Sequence, residues 1–154
     1  MIPLKAPTAG DIKTALTEWL ASDNGPSDYS RDFQTLQNLR NSATSVTTHG
    51  CDNAERSLHQ YFKALCNCED AGFPIKDGES YGLVSKWKCA FEPNKELTRN
   101  NIRFERVSIL FNIAALESHV AAMADRKTEN GLKIACNKLQ QAAGIFENLK
   151  SIEI

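Results

Sequence analysis

One long stretch with the periodicity of an α-helix, from Phe104 to Leu149, constrains the fold of this chain more than any other part. Apolar and small residues recur there at steps of three and four, as on a helix with one buried face. A polar break over residues 125–131 interrupts the pattern, which then resumes. The residues of the two predicted stripes are Phe104, Val107, Phe111, Ala114, Ala115, Ser118, Ala121 and Ala122, and then Leu132, Cys136, Leu139, Ala142, Ala143, Phe146 and Leu149. Because the break is short, residues 101–152 are predicted to form two long helices packed antiparallel as a hairpin.

Three shorter helical patterns precede this hairpin, and each is ended by turn residues, glycine or proline. The predicted ranges are Ile12 to Leu20, Ser27 to about Thr47, and from near Asp52 to the break at Gly72 and Pro74. Thr8 or Asp11 can cap the first of these helices. The residues predicted to face inward are Tyr29, Phe33, Leu36, Arg40, Ala43 and Val46 in the second helix, and Ala54, Leu58, Tyr61, Phe62 and Leu65 in the third. Five helices are therefore expected.

A change to period-two alternation near the middle of the chain predicts a small β-sheet. Strands are expected at residues 73–75 and 81–91, on either side of the turn pair Asp77-Gly78. The short run Ile2 to Lys5 is expected to add an edge strand. The predicted fold is thus α+β and predominantly helical. Antiparallel helical hairpins stack as in TPR repeats, with a small antiparallel sheet near the N-terminal half.

Length and composition fit one soluble domain over residues 1–154, with 42% hydrophobic residues to supply a core. No segment approaches the roughly 20 apolar residues that span a membrane, so no integral membrane segment is predicted. A formal net charge of −1 gives no overall attraction to nucleic acid. Five cysteines, an odd number without paired spacing, favour a reducing compartment and hence a cytoplasmic location.

The sequence offers one weak candidate for a metal site, Cys66-x-Cys68 with His59 before it. Structural zinc usually has four ligands, in pairs separated by about two to four residues. Neither the pair spacing nor a fourth ligand is evident here. No metal ion and no cofactor are therefore predicted.

Catalytic motifs are also missing from the sequence. His119 follows Glu117 and Ser118, but adjacent residues point in different directions around a helix, so no Ser-His-acid triad follows from their proximity. There is no glycine-rich phosphate loop, no Gly-x-Ser-x-Gly and no His-Glu-x-x-His. The chain is therefore not expected to be an enzyme.

Several segments together resemble one known family. The run FERVSILFNIAAL, followed by GLKIACNKLQQAAGIF, is similar to the most recognisable part of the BRO domain of Alix-like endosomal sorting proteins, the His-domain tyrosine phosphatase and the rhophilins. The matching residues are Phe104, Glu105, Leu110, Phe111, Asn112, Ala114, Ala115 and Leu116. The runs Ile2 to Lys5, Leu39-Arg40, Tyr61-Phe62 and Trp87-Lys88-x-Ala90-Phe91 also occur in the family order. The chain resembles the N-terminal portion of a BRO domain, under half of its length.

This resemblance implies a non-catalytic adaptor in endosomal sorting at multivesicular bodies, associated with endosomes. BRO domains bind the C-terminal amphipathic helix of an ESCRT-III subunit on a concave surface of stacked helices. The family's groove lysine in Gly-Leu-Lys matches Lys133, whereas Asn137 stands where Alix-like members carry another lysine. These two residues are the candidate partner-binding residues. The alternative is a helical scaffold or a rhophilin-like signalling adaptor that binds through another surface.

The last predicted helix carries more apolar surface than one neighbouring helix can cover. An exposed patch is expected around Ile134, Ile145 and Ile152, and with it self-association that Ile145→Lys would relieve. Two alternatives stay open for the end of the chain. It is either a natural short relative or a truncated BRO domain, and in the second case we expect impaired partner binding.

Overall fold

Helices make up most of the structure, a computed structural model that describes residues 1–22, 29–49, 51–73 and 83–152. In chain order the elements of these ranges are β1 (Pro7–Ala9), α1 (Ile12–Ser22), α2 (Ser30–Thr44), α3 (Cys51–Asp70), β2 (Val84–Lys88), β3 (Glu96–Asn100), α4 (Ile102–Met123) and α5 (Glu129–Lys150). Consecutive helices pack on one another, and α4 also contacts β2. None of the described helices is long and apolar enough to cross a bilayer. The prediction of a mainly helical α+β fold with five helices and a small antiparallel sheet is confirmed.

Side-chain caps explain where three of the helices begin. Asp11, one of the two predicted candidates, caps α1, since its Oδ1 accepts a hydrogen bond from the backbone N–H of Thr14 at 2.9 Å. This hydrogen bond lowers the pKa of Asp11. Asn101 and Thr128 cap α4 and α5, each accepting from the backbone N–H three residues later. The other candidate cap, Thr8, lies in β1.

The second helix is shorter than its prediction. Residues 27 and 28 of the predicted range lie outside the described residues, and α2 ends at Thr44. The helix ends among hydroxyl-bearing residues whose side chains donate hydrogen bonds to preceding backbone carbonyls. Thr44 Oγ1, for example, donates to the carbonyl oxygen of Arg40 at 2.9 Å. Tyr29 was expected to face inward but is 42% exposed, and its ring stacks on that of Phe33 with centroids 6.1 Å apart.

Three antiparallel strands form the sheet in the order β1-β2-β3. β2 lies within the predicted strand 81–91, and β1 pairs with its other edge through an irregular register between Pro7 and Ala9. The strand β3 is absent from the prediction because its residues are mostly exposed and show no apolar alternation. Most of the predicted strand 73–75 and the turn pair at 77–78 fall outside the described residues.

The N-terminal run Ile2 to Lys5 does not form the predicted strand but lies along α4. Asn112 exchanges two hydrogen bonds with the backbone of Lys5: Oδ1 accepts from the N–H at 2.7 Å, and Nδ2 donates to the carbonyl at 3.0 Å. Ser118 Oγ accepts from the N–H of Ile2 at 3.2 Å, and His119 Nε2 lies 2.9 Å from the carbonyl oxygen of Ile2. Side chains of α4 thus form hydrogen bonds with backbone groups of Ile2 and Lys5 that would otherwise need a neighbouring strand.

A fully buried carboxylate, that of Glu105 in α4, joins the helices to the sheet. It accepts hydrogen bonds from Arg40 Nε at 2.8 Å, Tyr61 Oη at 3.2 Å, Ser85 Oγ at 2.6 Å and Trp87 Nε1 at 2.6 Å. Burial and the Glu105 charge raise the pKa of Tyr61, so its hydroxyl stays protonated and able to donate. Since the donors belong to α2, α3 and β2, one acceptor fixes three elements against α4.

The change Glu105→Gln should therefore destabilise the fold strongly. The buried Arg40 guanidinium would lose its counter-charge, and the new amide NH₂ would face donors where an acceptor is needed. We expect the free energy of unfolding to fall by about 2–4 kcal/mol, measured by urea denaturation followed by circular dichroism. Glu147→Gln, at an exposed carboxylate paired with Lys150, is the matched control and should have no measurable effect. Equal stability of the two variants would show that the Glu105 charge is not needed.

Candidate functional site

The two candidate partner-binding residues lie on the outer surface of α5. Lys133 and Asn137 are both exposed and one helical turn apart. Nζ of Lys133 lies 2.7 Å from Oε1 of Glu129, and the two side chains are 73% and 84% exposed. An exposed ion pair of this kind contributes little to stability. The Lys133 ammonium is therefore available to a carboxylate on another molecule.

The face of α5 that packs against α4 overlaps the predicted stripe only in part. Ala142 of that stripe is buried, and the ring of Phe146 lies 5.4 Å from that of Phe111 in α4. The buried residues of α5 are Gly131, Ala135 and Ala142. The predicted residues that prove to be exposed are Leu132, Cys136, Leu139 and Ala143. A Cβ at position 131 would collide with the carbonyl oxygen of Asp125, so the connection between α4 and α5 passes very close to the first turn of α5. The face of α5 with the smallest side chains can approach α4 most closely. This buried face is rotated about a quarter turn around the helix axis from the centre of the exposed apolar residues.

The expected exposed patch on α5 is partly wrong. Ile145 packs against the hydrophobic core, whereas Ile134 is 41% exposed and Ile152 is half-buried. Ile145→Lys would thus bring an ammonium group against the core and destabilise the fold, so it is not a suitable test of association. The exposed apolar surface instead follows Leu132 and Leu139, which are 52% and 54% exposed.

A crevice of about 540 Å³ opens between α3, α4 and α5, and Lys133 and Asn137 are not among its lining residues. Its apolar lining consists of Phe62, Leu110, Ile113 and Ile145. Its α5 rim carries Gln140, Gln141, Gly144 and Asn148. On a helix these rim positions continue the row that begins with Lys133 and Asn137. The candidate residues therefore lie on the exposed row of α5 that leads to this crevice, which has an apolar floor and a polar rim.

One wall of the crevice holds a cluster of charges that sequence analysis does not reveal. Nζ of Lys138 lies 2.8 Å from Oε2 of Glu117 and 3.0 Å from Oε1 of Glu55. Burial raises the pKa of Glu117. Burial also opposes the charge on Lys138, but its hydrogen bonds to the two carboxylates outweigh that effect and raise the pKa of Lys138. The three residues are distant in sequence and form no motif, so no sequence signal joins them.

Among the described residues, the groups that could hold a metal ion are Glu55, His59 and Glu117, whose ligand atoms all lie within 4.8 Å of one another. The Lys138 ammonium already forms ion pairs with both carboxylates, and a metal ion would have to displace it. The cysteines considered with His59 in the sequence are not part of this group. Burial raises the pKa of the Cys68 thiol to about 11, which disfavours the thiolate that binds metals.

Ser118 and His119 are not arranged as a nucleophile and its base. The Ser118 hydroxyl donates to the carbonyl of Ala115 at 2.6 Å, and His119 Nε2 lies 2.9 Å from the carbonyl oxygen of Ile2. Both side chains hold backbone in place. Ser118 and His119 therefore have a structural role at these positions.

The charge cluster makes a testable prediction. Lys138→Met would leave two neighbouring carboxylates without a cation, so we expect a loss of about 1–2 kcal/mol in the free energy of unfolding at pH 7.5. The folded-state pKa of Glu117 is raised, so as the pH falls through that pKa the carboxylate takes up a proton and the repulsion disappears. The loss should therefore be smaller at pH 4.5. Urea denaturation at both pH values is the measurement.

Lys150→Met is the control for this comparison, because Lys150 pairs with Glu147 on an exposed surface. It should change stability little at either pH. A loss for Lys138→Met that does not depend on pH would mean that the lysine acts through packing of its aliphatic chain.

Comparison with known proteins places this arrangement in a family. The family model described as BRO1-like domain matches residues 1–154, the whole chain. The pH-response regulator protein palA/RIM20 of Emericella nidulans is 32% identical over 154 residues, covering 97% of this chain and 18% of the relative. The apoptosis-linked gene 2-interacting protein X 1 of Caenorhabditis elegans is 29% identical over 161 residues, with the same two coverages. The chain thus spans less than a fifth of the length of these relatives.

The fold agrees with the sequence match. A solved structure of the ALIX BRO1–CHMP4C complex aligns with a TM-score of 0.82 and 26% sequence identity, covering 99% of this chain and 47% of that chain. The chain therefore corresponds to about half the length of the solved domain. A family match over every residue, together with this alignment to a solved relative, shows that this chain belongs to the BRO1-like domain family.

Proposed function

We propose that this chain is a non-catalytic adaptor domain of endosomal sorting that binds the C-terminal amphipathic helix of an ESCRT-III subunit. The solved complex between ALIX BRO1 and CHMP4C supports a protein partner, and the vacuolar-sorting protein BRO1 of Arabidopsis thaliana is 33% identical over 124 residues, 79% of this chain and 14% of that protein. On this proposal residues 1–154 act as one domain equivalent to the N-terminal portion of a BRO domain, in the cytoplasm and at endosomes. The structural roles of Ser118 and His119 support the absence of catalysis.

The observation that carries the proposal is the exposure of Lys133 and Asn137 on the row of α5 that continues into the rim of the apolar crevice. An amphipathic helix is recognised by a groove that receives its apolar face and a rim that complements its polar side. Phe62 and Ile145 belong to the apolar lining, and an exposed ammonium stands on the neighbouring row of α5. An acidic, amphipathic partner helix has the chemistry that this surface fits.

Asn137 reduces the electrostatic part of this recognition. Its amide can form a hydrogen bond with a carboxylate at contact distance but does not attract one from farther away. Lys133 is then the charged member of the pair, and its attraction acts through water and is screened by salt. We therefore expect binding to be weaker than for a surface with a lysine at both positions, and to weaken further as the salt concentration rises.

Three variants test the proposal in a fluorescence anisotropy titration with a labelled peptide of an ESCRT-III C-terminal helix. Lys133→Glu should weaken binding by about tenfold, because attraction becomes repulsion. Asn137→Lys should tighten binding by about threefold, since it adds a second cation to the row. Lys150→Glu is the matched control, an exposed lysine with an i,i+3 partner near the other end of α5, and should bind like wild type.

Two results would contradict the proposal: no binding of the peptide by the wild-type chain, or equal binding by wild type and Lys133→Glu. Either result would favour the other hypothesis, a helical scaffold or rhophilin-like signalling adaptor that binds through another surface. Circular dichroism of each variant checks that the helices remain folded.

A further inference from the structure

An amine and a thiol lie opposite each other where the N-terminal run meets the end of β2. The N–H of Lys88 donates to the carbonyl of Ala6 at 2.9 Å, so the antiparallel pairing of β1 with β2 continues before the first residue of β1. One step further, Lys5 lies opposite Cys89. The N–H and carbonyl of Lys5 are bonded to Asn112 instead of β2, as expected for a non-hydrogen-bonded cross-strand pair. The Cβ atoms of such a pair are about 4.5–5.5 Å apart.

Both side chains of this pair are directed toward α4. Cys89 is half-buried and continues the alternation of β2 that points Trp87 inward. Nζ of Lys5 lies 5.6 Å from the ring centroids of both Phe104 and Phe111 in α4. The amine and the thiol therefore share the space between the sheet and the first turns of this helix.

The Lys5 amine is in an unusual environment for a lysine. Burial lowers the pKa of Lys5, and the negative charge of a Cys89 thiolate opposes this effect without cancelling it. Within the part of the chain that the structure describes, no carboxylate pairs with the Lys5 ammonium. A lysine without a counter-charge, in surroundings that disfavour its charged form, presents more of the neutral amine, which is the nucleophile.

Lys133 and Cys136 provide a comparison within the same chain. They lie three residues apart on α5, so their side chains are also neighbours. The Lys133 ammonium, however, lies on the exposed surface, 2.7 Å from Oε1 of Glu129. A carboxylate partner favours the charged ammonium, which has no lone pair with which to react. The two pairs thus have the same functional groups but differ in the environment of the amine.

We propose that Lys5 and Cys89 form a redox-sensitive modification site, at which oxidation by a peroxide joins the two side chains in a sulfenamide. In the first step the Cys89 sulfur attacks hydrogen peroxide. An S–O bond forms as the O–O bond breaks, the sulfur is oxidised to a sulfenic acid, and the peroxide is reduced, with one oxygen released as water.

In the second step the lone pair of the neutral Lys5 amine attacks the oxidised sulfur. The S–N bond forms and the S–O bond breaks, and the departing hydroxide takes one proton from the nitrogen and leaves as water. Thiol, amine and hydrogen peroxide thereby give one sulfenamide and two molecules of water. A thiol reductant reverses the reaction, because its thiolate attacks the sulfur and releases the amine, and a second reductant thiol then regenerates Cys89 as a disulfide of the reductant forms.

The consequence for the fold is a covalent link between the N-terminal run and β2. This link also removes the positive charge of Lys5 from the two aromatic rings. Hydrogen peroxide is small enough to reach a half-buried thiol, so the site requires no open surface for a macromolecule. The proposal does not depend on the partner-binding proposal, since Lys5 and Cys89 are not among the residues that line the crevice.

Peptide mapping by mass spectrometry tests the proposal. The 154-residue chain is treated with hydrogen peroxide, digested with trypsin without reduction, and compared with the untreated chain. We expect a cross-linked species that contains Lys5 and Cys89, lighter by two hydrogen atoms than the sum of its two peptides. Treatment with dithiothreitol before digestion should return both peptides to their original masses.

Three variants control this experiment, with circular dichroism to check that each remains folded. Lys5→Arg keeps the positive charge but has no nucleophilic amine, so the cross-link should be lost and a sulfenic acid at Cys89 should become available to dimedone. Cys89→Ser should abolish both the cross-link and the dimedone adduct at this position. Cys136→Ser should form the cross-link as wild type does.

Three outcomes would overturn the proposal. The first is a peroxide-treated wild-type chain without a species that joins Lys5 to Cys89. The second is a linked species that retains the oxygen atom, which would exclude displacement at sulfur. The third is a link between Lys133 and Cys136 in equal yield, which would show that proximity alone suffices and that the environment of Lys5 confers no selectivity.

Discussion

A single buried negative charge fixes the helices and the sheet of this domain relative to one another. The carboxylate of Glu105 is inaccessible to water, and such a charge costs several kcal/mol unless it is paired and fully hydrogen-bonded. Arg40 supplies the positive charge, and hydrogen bonds from Tyr61, Ser85 and Trp87 complete the site. Moving any of these donors would leave part of the charge unsatisfied. The position of β2 on the helices therefore follows from the needs of one carboxylate on α4.

The same interaction reaches the turn between β1 and α1. The Arg40 guanidinium, held by Glu105, also donates from Nη2 to the carbonyl of Ala9 at 3.2 Å. A Cβ at Gly10 would collide with this guanidinium, so the backbone can pass here only because glycine has no side chain. The buried Arg40–Glu105 ion pair thus requires glycine at position 10. The hydrogen bond from Arg40 to Ala9 also anchors the edge strand β1 to α2.

The features predicted from sequence are those with a local signal, and the others depend on contacts between distant residues. The α4–α5 hairpin has a long helical period and a short break, and Asp11 has the side chain of a cap. The strand β3 lacks apolar alternation and exists because it pairs with β2. Lys133 and Asn137 are exposed, and their role in binding stays a prediction. The ion pair of Lys138 joins residues 83 positions apart and has no sequence signature. For α5 the apolar pattern overlaps the inner face only in part, at residues such as Ala142 and Phe146, since side-chain size decides how closely two helices approach.

The geometry of α5 separates its structural face from the surface proposed to bind a partner. The small residues Ala135 and Ala142 are buried, whereas Lys133 and Asn137 are exposed on the row that leads to the crevice. A change at Lys133 or Asn137 can therefore alter partner binding without disturbing the packing that fixes α5 on α4.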